Sequence, residues 1–163
     1  MKLYTFVIVD KFNVVMNCNT DISLVSFIGR TMHSIMRIME EGFAEKGIKL
    51  NLPQFILLNV LSIKDDFILE DLAKLLYKDK SAILRYVNQL ENEHFIAKMK
   101  DKNDGRRKIL VLTRKGMEIL AAARKIEENV QEILTKNLGN NEINSFKNVL
   151  EQMNKQSIII LEK

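Results

Sequence analysis

The sequence predicts a mainly α fold with a small β component (α+β), and three observations carry that prediction. The 163-residue chain is rich in Leu, Ile, Lys and Glu but holds only one proline and six glycines, so long helices meet few breakers. Apolar residues recur at helical spacing through most of the chain. Residues 97–100 and 108–112 instead read as strands, with Asn103, Asp104 and Gly105 supplying the turn between them.

Taken in order, residues 1–19 are dense in Tyr, Phe, Val and Ile around Asp10-Lys11. They read as a β-hairpin, with a helix as the rival. Such an arm either caps a dimer or a ligand pocket, or simply hides apolar surface. Thr20-Asp21 can cap a helix over 22–46, which Gly47 ends. Its stripe, including Phe27, Met32, Met36, Met39 and Phe43, is wider than one core face needs. Plain core is the simpler reading; an adaptable methionine-lined pocket is the other. Asn51 caps a helix over 52–63 that tolerates Pro53 in its first turn and aims Phe55, Leu58, Val60 and Leu61 at the core. Lys64-Asp65-Asp66 is a polar break. Residues 69–76 form a short helix with Leu72, Ala73, Leu75 and Leu76 available for packing, and Tyr77-Lys78-Asp79 separates it from a helix within 79–93. Helix, short turn, helix and then a hairpin make a winged helix-turn-helix. Thr113 caps a helix reaching about residue 137, and a last helix spans roughly 141–161. That helix ends in Ile158-Ile159-Ile160-Leu161, an apolar run that calls for burial against a partner, and a symmetric homodimer is the simplest provider. The resulting divisions are a β arm at 1–19, a dimerisation helix at 20–50, the winged domain at 51–113 and C-terminal dimerisation helices at 114–163.

The segment 79–93 carries the chemistry. Ile83, Tyr86, Val87 and Leu90 share one side, which predicts its burial. Ser81, Arg85, Asn88 and Asn92 share the other, with Leu84 and Gln89 at its edges and Glu91 the one carboxylate near its margin. A helix of about 20 Å suits a major groove ~12 Å wide. Arg85 can bond guanine O6 and N7 together. Lys80 and Ser81 sit at the N-terminal turn, where amides favour a phosphate. Between Lys98 and Lys115, eight lysines and arginines stand against two aspartates, far more basic than the chain's net +4. Such a hairpin suits a polyanion, and Arg107 and Lys108 are expected on phosphates.

These pieces, in this order, resemble the MarR family of bacterial transcriptional regulators. The resemblance covers residues 50–120: Leu50-Asn51 with Gln54-Phe55, Asp71-Leu72-Ala73 with Leu76, Asp79-Lys80-Ser81 with Arg85 and Leu90-Glu91, then Asp104-Gly105-Arg106, Leu112-Thr113 and Gly116. It implies double-stranded DNA with a pseudo-palindromic operator as partner, a homodimer, and a repressor released by a small-molecule effector. It implies that the wing tip enters the minor groove, with Asp104 orienting Arg106. It implies dimer contacts from the first long helix, and an effector pocket is expected near Met32, Met36 and Phe55. The family often has threonines where this chain has Ala82 and Leu84, which suggests apolar contact with thymine methyls here. It prefers glycine where this chain has His94, so His94 must adopt a left-handed conformation or the helix must end differently.

Other classes find little support. Cys18, His33 and His94 have no zinc spacing, and no phosphate loop or catalytic triad order is present, so neither an enzyme nor a cofactor is expected. One cysteine excludes an internal disulfide framework and fits a cytoplasmic protein. Asp10-Lys11 interrupts the first apolar run, so a secretory signal is not expected, and no apolar run is long enough to span a membrane. Two alternatives remain beside the DNA reading: a redox-sensing regulator using Cys18, and a winged-helix module that binds protein.

Overall fold

The computed structural model describes residues 23–64, 67–101, 104 and 107–161. The expected N-terminal hairpin, Cys18, the cap at Thr20-Asp21 and Arg106 lie outside the described residues. The chain divides into two units, residues 1–36 and 37–163. Among the described residues six helices and one hairpin follow in order: α1 (Leu24–Glu45), α2 (Leu52–Leu61), α3 (Leu69–Leu75), α4 (Lys80–Asn92), β1 (Ile96–Lys100), β2 (Lys108–Leu112), α5 (Arg114–Thr135) and α6 (Asn140–Leu161).

Local chemistry explains the starts. Asn51 accepts from the backbone N–H of Gln54 at 2.9 Å, while Gln54 Oε1 accepts from the Asn51 N–H at 3.0 Å, a reciprocal capping box. Asp79 caps α4 by accepting from the Ala82 N–H at 2.8 Å. Thr113 caps α5 through the Gly116 N–H at 3.0 Å, and its hydroxyl donates to the carbonyl of His94 at 2.6 Å.

Three helix ends share one geometry. After α1, Gly47 N–H bonds Ala44 O and Ile48 N–H bonds Phe43 O. After α3, Tyr77 and Lys78 bond Lys74 O and Ala73 O in the same way, and after α4, His94 and Phe95 bond Glu91 O and Leu90 O. Each is a Schellman closure, which puts one residue in the left-handed region. That residue is Gly47 at φ 66°, Tyr77 at φ 48° and His94 at φ 59°. Only glycine adopts this conformation without steric cost. His94→Gly is therefore expected to stabilise the fold by about 0.5–1 kcal/mol, read as a higher midpoint in urea with an unchanged slope. A lowered midpoint would mean that the imidazole contributes more than its backbone costs.

The core of the second unit lies where these elements converge. Phe43 meets Phe55 edge-on, with centroids 5.5 Å apart. Leu57, Leu58 and Leu61 of α2, Leu72 of α3, Ile83, Val87 and Leu90 of α4, Ile96 of β1, Leu110 of β2 and Leu120 of α5 belong to it. Each such side chain contributes about 1.5–3 kcal/mol by leaving water. The strands pair antiparallel from Ile96 opposite Leu112 to Lys100 opposite Lys108. The Leu110 N–H also donates to Phe67 O at 3.0 Å, so the chain entering α3 borders the hairpin. Two packing expectations are corrected. Leu75 is 51% exposed, because the buried side of α3 is centred on Leu72, Ala73 and Leu76, and Leu75 points away from it. Val60 is only half-buried and Leu57 takes the core position, since Val60 lies opposite the face shared by Gln54, Leu58 and Leu61.

Candidate nucleic-acid interface

Burial of one side of α4 dictates what the other presents. Ile83, Val87 and Leu90 are fully buried, and Tyr86 is half-buried. Ser81, Arg85, Asn88 and Asn92 are exposed on the opposite face, as the spacing predicts, and Leu84 is 44% exposed beside them. Ala82 is half-buried, its N–H already held by Asp79. The Arg85 guanidinium lies 5.5 Å from the centroid of the Tyr86 ring, a cation–π contact that restricts it while leaving it exposed. Ion pairing removes the acidic blemish on this face: Lys98 Nζ of β1 lies 2.6 Å from Glu91 Oε2. The same ammonium donates to Asn88 Oδ1 at 3.3 Å, which leaves the Asn88 NH2 available as a donor.

At the N-terminal end, Lys80 is held by Glu70 of α3 at 3.1 Å. The hydrogen bond from Lys80 keeps the Glu70 carboxyl below its usual value. Near its other end, Gln89 Oε1 accepts from Gln54 Nε2 at 2.9 Å, tying α4 to α2. Lys115 of α5 donates to Glu93 O at 2.8 Å and sits 5.0 Å over the Phe95 ring. Spacing along the sequence carries none of these ties, because each joins elements that meet only in the fold.

The wing closes through Asp101 N–H to Arg107 O at 3.0 Å and Arg107 N–H to Asp104 O at 2.9 Å. Arg107 Nη1 lies 4.0 Å from Asp101 Oδ2, so that pair is long. Lys100 and Lys108, both exposed, stand directly opposite each other in the ladder. Like charges so placed are unfavourable unless an anion sits between them. The structure thus gathers Ser81, Arg85, Asn88 and Asn92 on one face of α4 and ties the hairpin to that helix through Lys98, with Lys108 on the second strand. It does not bring Phe55 to a surface: that ring is 2% exposed in the second unit, whereas Met32, 54% exposed, and the half-buried Met36 belong to the first. Among the described residues no His, Cys, Asp and Glu cluster could hold a metal, and no helix is long and apolar enough to cross a membrane.

A helix-turn-helix with a paired hairpin behind it and an outward polar helix face defines the class: a winged-helix transcriptional regulator. Residues 42–123, half the chain, match the family model "Transcriptional regulator SarA/Rot". The chain belongs to the SarA/Rot family of transcriptional regulators, and its fold is that of MarR-type winged-helix regulators. A MarR crystal structure superposes with a TM-score of 0.76 at 23% identity, over 87% of this chain and 95% of that one. A MarR regulator from Methanosarcina mazei Go1 gives 0.71 at 24% identity, over 82% and 98%. The transcriptional repressor CouR, bound to a 23-mer DNA duplex, gives 0.74 at 22% identity, over 80% and 92%. At these identities the similarity is one of fold. A comparison with curated proteins gives no match.

Proposed function

We propose that this chain is a homodimeric, sequence-specific double-stranded DNA-binding repressor of the cytoplasm, released from its operator by a small-molecule effector. The observation that carries the reading is the outward face of α4, where Ser81, Arg85 and Asn88 are exposed over a buried apolar side and Glu91, the carboxylate at its margin, is met by Lys98. Base-edge contacts then come from Arg85 and Asn88, with Leu84 and Ala82 against thymine methyls. Phosphate contacts come from Lys80, Ser81, Arg107 and Lys108. Arg106, oriented by Asp104, reads the minor groove. The repressor bound to a duplex among the fold matches supports this direction.

Dimerisation is supported by α6, a 22-residue helix that buries none of its side chains. Phe146, Val149, Ile159 and Ile160 are each at least half exposed, and Ile133 of α5 is 65% exposed. A patch of this kind marks an interface. A symmetric partner would place two copies of α4 about 34 Å apart, one turn of duplex.

The test is a selection of duplex sequences by the purified chain, followed by titration of the enriched duplex at rising salt. Expected are a palindromic consensus, one dimer per site, and affinity falling linearly in log–log form with salt. A monomer that ignores every duplex at low ionic strength would overturn the proposal and leave the protein-binding alternative.

A further inference from the structure

Tyr77 sits in the turn of the helix-turn-helix with a left-handed backbone, φ 48°. For a bulky side chain that is an outlier. The two hydrogen bonds closing α3, Tyr77 N–H to Lys74 O and Lys78 N–H to Ala73 O, are backbone bonds that glycine would make equally well. Packing does not compensate the conformation, because the residue is 60% exposed. Its hydroxyl has no hydrogen bond among the described residues. A strained, solvent-facing aromatic is thus kept where the fold alone favours glycine, and strain retained without a packing return points to function.

Its place in the chain says which function. Tyr77 lies two residues before Asp79, the cap of α4, and next to the exposed Lys78, with Lys80 one turn further on. The amides of this helix start favour an anion, and tyrosine hydroxyls are among the groups that bond DNA phosphates. We propose that Tyr77 is a DNA-backbone contact, its phenolic O–H donating to a phosphate oxygen beside the start of α4, and that the left-handed turn is the conformation presenting it. This rests on the DNA-binding reading above.

The experiment compares wild type, Tyr77→Phe and Tyr77→Gly on the wild type's selected duplex, with thermal unfolding in parallel and Lys80→Ala as the electrostatic control. Tyr77→Phe is expected to unfold at the wild-type temperature and bind about three- to tenfold more weakly per half-site. Its loss is expected at every salt concentration with an unchanged slope, since no cation has been removed, whereas Lys80→Ala lowers the slope by about one per half-site, hence about two for the dimer. Tyr77→Gly is expected to unfold at a higher temperature yet bind at least as weakly as Tyr77→Phe. Full affinity in both variants would overturn the contact while leaving the DNA reading intact. Loss in Tyr77→Gly alone would overturn the hydroxyl's role. A wild type that binds no duplex would overturn both readings together.

Discussion

Arg85→Ala is expected to weaken operator binding by about 1–3 kcal/mol per half-site, hence roughly 2–6 kcal/mol for a symmetric dimer engaging two. The fold should survive, because Arg85 is exposed and its neighbours Ile83 and Val87 hold the helix without it. What is lost is a planar fork that can bond two acceptors of one guanine. Contact with the Tyr86 ring holds that fork in advance, so less side-chain freedom is lost on binding. Arg85→Lys should therefore fail to rescue, since an ammonium is a point charge without the fork. The informative measurement is a matrix of wild type and variant against duplexes with each operator base changed. Wild type should discriminate sharply at one position per half-site, and Arg85→Ala should be indifferent there while keeping its preferences elsewhere. Lys108→Ala should instead lower affinity evenly across all duplexes. If Arg85→Ala kept both affinity and preference, Arg85 would not be the base reader, and Asn88 would be next in line on the same face.

How much of this was legible in the sequence depends on the range of each interaction. The Asn51 and Thr113 caps and the two faces of α4 all involve residues within a turn or two, and the expected elements match the observed ones to within a residue or two at most ends, while the return bond from Gln54 and the Asp79 cap, though just as local, come from the structure. The left-handed His94 was legible through the resemblance, as a departure from glycine. The fold supplies what joins distant positions: Lys98 neutralising Glu91, Gln54 holding Gln89, and Arg124 Nε and Nη2 reaching Asn59 and Ser62 at 2.8 and 2.7 Å. A basic run such as 98–115 counts charges but not partners. In the structure Lys98, Arg107 and Arg114 each have a carboxylate within 4.0 Å, and Lys115 rests on a carbonyl, so the outward charge is carried by fewer residues than the count suggests. Tyr77 escaped because a tyrosine in a turn gives no sign of its backbone angle.

Gly116→Ala is expected to destabilise the protein by about 3 kcal/mol, opposite in sign to helix propensity. Gly116 lies in the first turn of α5, and at an ordinary helical site replacing glycine by alanine gains up to about 1 kcal/mol. Here a Cβ would lie 1.9 Å from the carbonyl oxygen of Phe95 and 2.8 Å from its carbonyl carbon. Those are backbone atoms of the junction between α4 and β1, and they cannot swing aside as a side chain could. The same Phe95 oxygen accepts from the Thr113 N–H at 3.0 Å, so moving it also breaks the bond that closes the hairpin against α5. Overpacking of a core usually costs about 1–3 kcal/mol, and an obstacle made of hydrogen-bonded backbone belongs at the upper end. Gly42 is the control, for its added Cβ would meet Ile126 Cγ2 at 2.7 Å, a side-chain atom whose β-branched χ1 is stiff in a helix but which yields more readily than hydrogen-bonded backbone. Urea unfolding should therefore rank the variants wild type, Gly42→Ala, Gly116→Ala in falling stability. A Gly116→Ala protein as stable as wild type would mean that α5 does not press on the Phe95 carbonyl. The start of α5 would then not fix the wing beside α4, and the DNA surface proposed for helix and hairpin would need another support.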